Sequence, residues 1–528
     1  MLAIEFYRWP ISDCNGAGSG VGILVGETYG EGKSVADISA YEDVDLEGTR
    51  LSRPACRVLC ALEAAGLEAW VVGGWVRDAL MHAPSHDVDM CCSAPWRQSK
   101  VALEAAGINV VESGIKFGGI TAIADGERIE VTTYRLDGFY TDGRHPEEVT
   151  RAERVEDDLA RRDFTVNAMA WHPVRGLLDL YDGVGDLARR EIRAVGEPRR
   201  RFEEDALRML RAVRFACRLD FTVEPATRKA LADCAPLLDA VARERVGVEL
   251  QGVLATGLGG DALERYPEVM CAAIPELAPC RDFDQCSIYH DYDVYDHTHR
   301  VLTVACVLAR AQDDGGAQAV AISPSLMWAA LLHDIGKPQT FFKDEAGHGH
   351  FYGHPELGFT MAKEIMHRLA LPNDLIRDAC LLIKYHDRPL KAERKSVLGM
   401  MNRFAAEGVD TPRLMDELFD LKRADALGKS ALCFEYVWEV EDMREMLHKL
   451  LEADEAYSVK TLAISGRDLI AMGVEPGRRI GELLEQALAA TMQGGVANRR
   501  DDLLRYLARV AGLCADAPTL SLHDSSIN

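Results

Sequence analysis

The sequence predicts an α+β protein: a small α/β head followed by an extended all-helical neck, body and tail. Three observations carry this expectation. Short apolar or alternating runs of strand character, at 69–72, 86–90 and 128–134, fall within the first 195 residues. Beyond them, Ala, Leu, Arg and Glu recur at three- and four-residue spacing with few strand-like runs. The chain has 528 residues, 48% hydrophobic and 27% charged, which is ordinary globular usage and excludes a disordered, collagen-like or coiled-coil protein. A single core stops growing near about 250–300 residues, so this length implies about three to five domains.

Taken in order, residues 1–50 are Gly-rich and acidic and read as a flexible extension. Gly30-Glu31-Gly32-Lys33-Ser34 ends like a phosphate loop, but that pattern needs glycine at 27, where Glu27 stands. A head follows over 51–195. An Ala/Leu/Glu helix begins near Leu51, and Ala69-Trp70-Val71-Val72 reads as a buried strand stopped by Gly73-Gly74. The next seven residues have helical composition, and His86-Asp87-Val88-Asp89-Met90 alternates at period two. A helical neck is expected over 196–285 and a body over 286–440; nine of the fifteen histidines lie between His290 and His386. A helical tail over 441–515 and a frayed end over 516–528 complete the chain.

The 60 basic and 84 acidic residues give a net charge of −24, which argues against nucleic-acid binding by bulk charge. Between Arg189 and Arg214, however, nine arginines face five acids, a local basic stripe suited to phosphate contacts. The fourteen cysteines include no Cys-x-x-Cys pair, so free thiols in a reducing cytosol fit best. No cationic start with an apolar core and no run of about 18 apolar residues occurs, so a cytoplasmic protein with no membrane partner is expected.

On a strand, Asp87 and Asp89 point the same way with Val88 turned inward. Two carboxylates that close repel, and a divalent metal is their natural partner. Glu130, on a second alternating run, offers a third oxygen ligand. An isolated Asp-x-Asp is more often a solvated strand face. Here Gly73-Gly74 opens a strand-to-helix turn that presents backbone N–H groups to an anion, with Arg77 one turn on as a clamp. A phosphate cradle just before a metal dyad describes metal-assisted phosphoryl or nucleotidyl transfer.

These residues resemble a known family. Val72-Gly73-Gly74-Trp75-Val76-Arg77-Asp78-Ala79-Leu80 followed by Asp87-Val88-Asp89 is similar to the first motif of the class II tRNA nucleotidyltransferases, the CCA-adding enzymes of the polymerase β-like superfamily. Asp142-Gly143-Arg144-His145-Pro146 resembles their flexible loop, and Asp158-Leu159-Ala160-Arg161-Arg162-Asp163 opens the second motif. Asp179-Leu180-Tyr181-Asp182-Gly183 resembles the third, Glu204-Asp205-Ala206-Leu207-Arg208 begins the fourth, and Arg243-Glu244-Arg245-Val246 resembles the fifth. The resemblance implies addition of C, C and A to the 3′ end of tRNA from CTP and ATP, with Mg²⁺ at Asp87 and Asp89, and adds Arg162 as a nucleotide contact. Partners are then tRNA, ATP and CTP, and the protein is expected as a monomer or homodimer.

Selection without a template has a chemical basis. Asp205 and Arg208, at i and i+3, are expected to share a helix face. An acceptor-only carboxylate beside a donor-only guanidinium complements the amino-plus-acceptor edges of cytosine and adenine, and guanine and uracil invert that order. Arg211 and Arg214 continue the spacing and suit the triphosphate or incoming base. An isolated Asp-x-x-Arg is otherwise an ordinary surface ion pair.

Tyr295-Asp296-His297-Thr298-His299, Leu331-Leu332-His333-Asp334-Ile335-Gly336, Tyr385-His386-Asp387 and Ala424-Asp425-Ala426 resemble the HD superfamily of metal-dependent phosphohydrolases. His297, His333, Asp334 and Asp425 are the expected ligands of a second divalent metal, with His354 and His386 serving another metal or a phosphate and Gly336 ending the helix. A lone histidine is usually structural; four elements in order outweigh that. The tail, with Leu462-Ala463-Ile464-Ser465-Gly466 and Asn498, resembles the C-terminal region of bacterial HD-containing relatives. The alternatives are an enzyme adding only part of CCA, and an HD phosphohydrolase carrying a relic transferase head.

Overall fold

A computed structural model describes residues 41, 44–85, 87–115, 118–137, 149–311 and 322–512. The flexible-loop motif at 142–146, His86, most of the expected N-terminal extension and the frayed end lie outside these residues. The chain divides into two compact units, one running to Arg189 and the other from Arg190 onward. This division falls short of residue 195 because Glu191–Ile192 pairs in parallel with Thr222–Val223 of the second unit.

The head is a seven-stranded mixed sheet. Its strands are β1 (Ala69–Val72), β2 (Val88–Cys92), β3 (Asn109–Val111), β4 (Gly119–Ala124), β5 (Glu127–Thr133), β6 (Met169–His172) and β7 (Gly176–Asp179), in the order β7-β6-β1-β2-β5-β4-β3. Only β2 and β5 are parallel, and the rest are antiparallel neighbours. Helix α1 (Arg53–Ala64) starts on Ser52, whose hydroxyl accepts from the Ala55 N–H, with Pro54 in the first turn. It buries Ala55, Val58, Leu59 and Leu62 against Val71, Met90, Ile120, Ile129 and Val131. Tyr41, Val44 and Leu46 join that core, so the head begins before residue 51: the end of the expected extension packs as structure.

The opposite sheet face holds a smaller cluster of Trp70, Val72, Cys91, Tyr134, Val155, Leu159 and Ala170. Strand alternation therefore decides the placement of the acids. Val88 and Met90 belong to the main core, and Asp89 and Cys91 turn to the other side. Cys91 and Cys92 are buried and form no disulfide.

The second unit is helical apart from short two-stranded pairs. It begins with α2 (Pro198–Glu204), α3 (Leu207–Leu219) and α4 (Arg243–Leu254). The histidine-rich body is built on α5 (Val294–Ala311), α6 (Pro324–Leu332), α7 (His354–Arg368), α8 (Asn373–Tyr385) and α9 (Thr411–Gly428). The tail has a core of its own from Leu469, Leu483, Leu488, Leu503 and Leu507. Asn498 pins that core: its Oδ1 accepts from Ala463 N, and its Nδ2 donates to the Asp454 and Thr461 carbonyls. No helix of the described residues is long and apolar enough to cross a membrane.

Candidate active sites

In the head, Val72 of β1 and Glu130 of β5 flank Asp89 of β2 in register. Asp87, Asp89 and Glu130 are all exposed while Val88 and Ile129 between them are buried, as period-two alternation requires. Asp87 itself stands just before the strand. The surrounding protein, then Glu130, and more weakly Asp87 push the Asp89 carboxyl above its ordinary range, and Arg162 opposes them.

Gly73 follows β1 with φ +73°, a conformation costly for any side chain. A Cβ there would stand 3.3 Å from Arg162 Nη1 and 3.8 Å from Asp89 Oδ2, so the turn, the acid and the guanidinium meet at one point. Arg162 is held from behind, with Nη2 donating to Asp158 Oδ2 at 3.2 Å and Nη1 to the Asn167 carbonyl at 3.3 Å. Asp158, wholly buried, also binds Arg161 at 2.6 Å. Burial pushes its carboxyl up, but Arg161 and Arg162 outweigh burial and hold it below the usual range. Asp89 and Glu130 stand in register, Asp87 is near enough to act on Asp89, and the nearby arginine is already bound to a fourth carboxylate, so this face is short of positive charge and could take a hard divalent cation.

Arg77 departs from the expected phosphate clamp. It is buried, its Nε and Nη2 donate to Asp78 Oδ1 at 2.8 and 2.6 Å, and its Nη1 donates to Asn167 Oδ1 at 2.7 Å. The adjacent acid neutralises it and it ties the glycine turn to Asn167; Arg162 is the cation beside Asp89. Asp158→Asn removes the negative charge shared by two part-buried arginines and sets an amide N–H against one of them, and is expected to cost about 3–5 kcal/mol. Urea unfolding at pH 7 measures this. Because the folded-state pKa is depressed, the contribution is full above about pH 4 and is lost on acidification through the folded value.

In the second unit, Asp205 and Arg208 do not lie on one continuous helix. Asp205 is extended (φ −145°) at the end of α2, and α3 starts at Leu207. The physical reason is a familiar property of aspartate: its Oδ1 accepts the Leu207 N–H at 3.0 Å and competes with helix continuation. Its Oδ2 meets Arg245 Nη2 at 3.1 Å, while Arg208 Nη1 donates to Glu204 Oε2 at 2.9 Å. Arg214 and Arg211 converge on Glu249 of α4, at 3.2 and 3.9 Å, with both guanidinium groups over Phe215. Arg245 and Glu249 were not singled out in the sequence as site residues because their partners lie about forty residues away.

The body gathers its expected ligands closely. His297 Nε2 lies 3.1 Å from Asp425 Oδ1 and 3.3 Å from Asp334 Oδ2, and His333 Nε2 lies 3.2 Å from both His297 Nε2 and Asp334 Oδ2. On the other carboxylate oxygen, Asp334 Oδ1 lies 3.3 Å from His354 Nε2 and 3.6 Å from His386 Nε2, which are 3.3 Å apart. Each imidazole places its Nδ1 within 3.1 Å of a backbone carbonyl, of Gly428, Ala330, Phe351 and Ile383 respectively. Donation there leaves every Nε2 as a lone pair. Facing lone pairs at such distances call for a cation between them, and Asp334 is shared by both groups.

Lys337 and Lys429 lie 2.7 and 2.6 Å from Asp334 and Asp425. Burial pushes the Asp334 carboxyl up, but neighbouring positive charge outweighs it and holds it well below the usual range. These lysines, and Lys422, which donates to the His386 and Arg388 carbonyls, were missed. The i,i+3 and i,i+4 spacings of Asp334–Lys337 and Asp425–Lys429 were a readable signal. Gly336 has another use than ending a helix: a Cβ there would stand 2.8 Å from the His354 carbonyl, so its absence lets α7 bring His354 to Asp334. A cavity of about 610 Å³ opens here, lined by Asp334, His354, His386, Lys337, Arg388 and Lys429.

A mixed sheet carrying an acidic face beside a glycine turn fits the head of a nucleotidyltransferase, and the helical His/Asp centre of the second unit fits a metal-binding body. Residues 69–193 match the Poly A polymerase head domain, 220–269 the probable RNA and SrmB-binding site of polymerase A, and 294–429 the HD domain. A CCA-adding enzyme of Limosilactobacillus reuteri is 32% identical over 458 residues, covering 87% of this chain and 96% of the relative. One from Enterococcus faecalis is 29% identical over 458 residues, covering 86% and 95%. The solved CCA-adding enzyme of Bacillus stearothermophilus in complex with CTP shares the fold, with TM-score 0.59 at 24% identity over 86% of this chain and 96% of that one. The chain belongs to the family of CCA-adding enzymes.

Proposed function

We infer that this protein is a tRNA nucleotidyltransferase that adds C, C and A to tRNA 3′ ends from CTP and ATP in the cytoplasm, releasing pyrophosphate. The observation that carries the reading is the meeting of Asp89, its register partner Glu130, Gly73 and Arg162 at one point of the head. Solved relatives are described as complexes with CTP and with tRNA, in keeping with it. Asp87 and Asp89 would hold Mg²⁺, with Glu130 adjoining; when bound, the metal supplies charge neutralisation for the triphosphate and lowers the pKa of the attacking hydroxyl. Gly73 and Gly74 would present backbone N–H groups to a phosphate, and Arg162 would add a fixed positive charge. Asp205 and Arg208, anchored by Arg245 and Glu204, would present the acceptor and donor that fit cytosine and adenine edges, with Arg211 and Arg214 serving the triphosphate.

Incubating the protein with tRNA lacking its 3′ end, Mg²⁺ and each labelled nucleoside triphosphate tests this. C is expected from CTP, A only after two C, and none from GTP or UTP; incorporation of a single kind alone would reduce the protein to a partial enzyme. Asp205→Ala is expected to lower the preference for CTP over UTP at least about tenfold while transfer persists, read from the ratio of kcat/KM values. A second reading stands beside this one for the body. The converging lone pairs of His297, His333, His354 and His386 around Asp334, with Asp425, support a metal-dependent phosphohydrolase of two divalent ions acting on phosphate esters.

A further inference from the structure

The rim of the histidine cavity carries aromatic groups that neither metal ligation nor packing explains. Residues 342–343 and 349–350 pair as a short antiparallel hairpin, Phe342 opposite His350. The rings of His350 and Tyr352 lie nearly parallel, with centroids 5.4 Å apart and 18° between planes, and Phe342 stacks on His350 at 5.2 Å and 27°. Tyr352 is 75% exposed and Phe342 45%. Phe342 and Tyr352 also touch, 5.6 Å apart and tilted by 45°, so the three rings form a compact exposed cluster, and it is braced: His350 Nε2 is held at 2.9 Å by Asp344 Oδ2. Both His350 and Tyr352 line the cavity.

The connection to the metal ligands is short. Gly353, with φ +80°, turns the chain directly from Tyr352 into His354, the first residue of α7. Two residues span at most about 7 Å, so a flat ring surface and a metal-binding imidazole border the same opening. The cavity also gathers Lys337, Lys384, Arg388 and Lys429, which suit a phosphate. A flat π-face beside a cationic, metal-ready pocket matches a ligand having a planar heterocycle at one end and a phosphate ester at the other.

We propose that Tyr352, backed by His350 and Phe342, is a base-stacking platform that makes the body's site selective for phosphate esters carried on a nucleoside, such as a mononucleotide or an RNA 3′ end. This rests on the phosphohydrolase reading for catalysis but not for binding, and the test separates the two. The full chain loaded with Mn²⁺, its head saturated with CTP, is dialysed against a non-hydrolysable phosphonate analogue of adenosine 3′-monophosphate. Tyr352→Ala is expected to bind about tenfold more weakly and Tyr352→Trp to restore affinity, since stacking tolerates any large aromatic ring. In parallel, hydrolysis of adenosine 3′-monophosphate is compared with that of glycerol 2-phosphate, which has no base. The ratio of their kcat/KM values is expected to fall about tenfold in Tyr352→Ala. Equal nucleotide affinity in wild type and Tyr352→Ala, or no binding by wild type, overturns the platform. Absence of hydrolysis of both esters by the wild type removes the phosphohydrolase reading alone, and dialysis still decides the platform.

Discussion

Replacing Asp89 with asparagine is expected to lower nucleotide incorporation into tRNA by at least about 10³-fold, a loss of about 4 kcal/mol of transition-state stabilisation. The substitution keeps shape and volume and removes the charge. Asp89 is the acid whose carboxyl is crowded by Glu130 and Asp87, so it gains most from a bound cation and loses most when neutralised. Filter binding of tRNA is expected to change less than twofold, because the net charge of the −24 chain shifts by only one. Asp87→Ala is expected to behave alike. Incorporation by Asp89→Asn within tenfold of wild type would remove the carboxylate group from the mechanism.

Replacing Asp334 with alanine is expected to abolish divalent metal binding in the body altogether, whereas His297→Ala is expected to lose one ion of two. The difference follows from geometry: Asp334 Oδ2 faces His297 and His333, and Oδ1 faces His354 and His386, so one carboxylate serves both groups. Metal content of dialysed protein after Mn²⁺ loading reads the stoichiometry. A ligand that binds only the folded state at 100 times its dissociation constant stabilises by about 2.7 kcal/mol, so Mn²⁺ is expected to raise the melting temperature of wild type more than that of Asp334→Ala, in which only the acids of the head remain to bind it. Equal metal content in wild type and Asp334→Ala would refute a shared site.

Much of the head and body was legible in the chain. Period-two alternation was enough to put Asp87 and Asp89 opposite Val88, and the recurrence of His and Asp in four separate helical segments marked the body's centre. Both are local patterns, carried by neighbours in sequence. Arg77 misled because its adjacent Asp78 looked like a motif companion and proved to be its ion-pair partner, with Asn167 ninety residues on completing the tie. Asp205 and Arg208 misled because spacing assumes an unbroken helix, and the aspartate side chain interrupts it.

The sequence by itself determined the class of fold, the acids exposed on either side of Val88 and the gathering of imidazoles in the body, since backbone periodicity and side-chain chemistry are properties of short stretches. Tertiary structure alone decided which cation stands beside Asp89 and that Asp334 joins two groups of histidines. Those outcomes depend on which distant residues a strand register or a glycine contact brings within a few ångströms, and no local pattern encodes that.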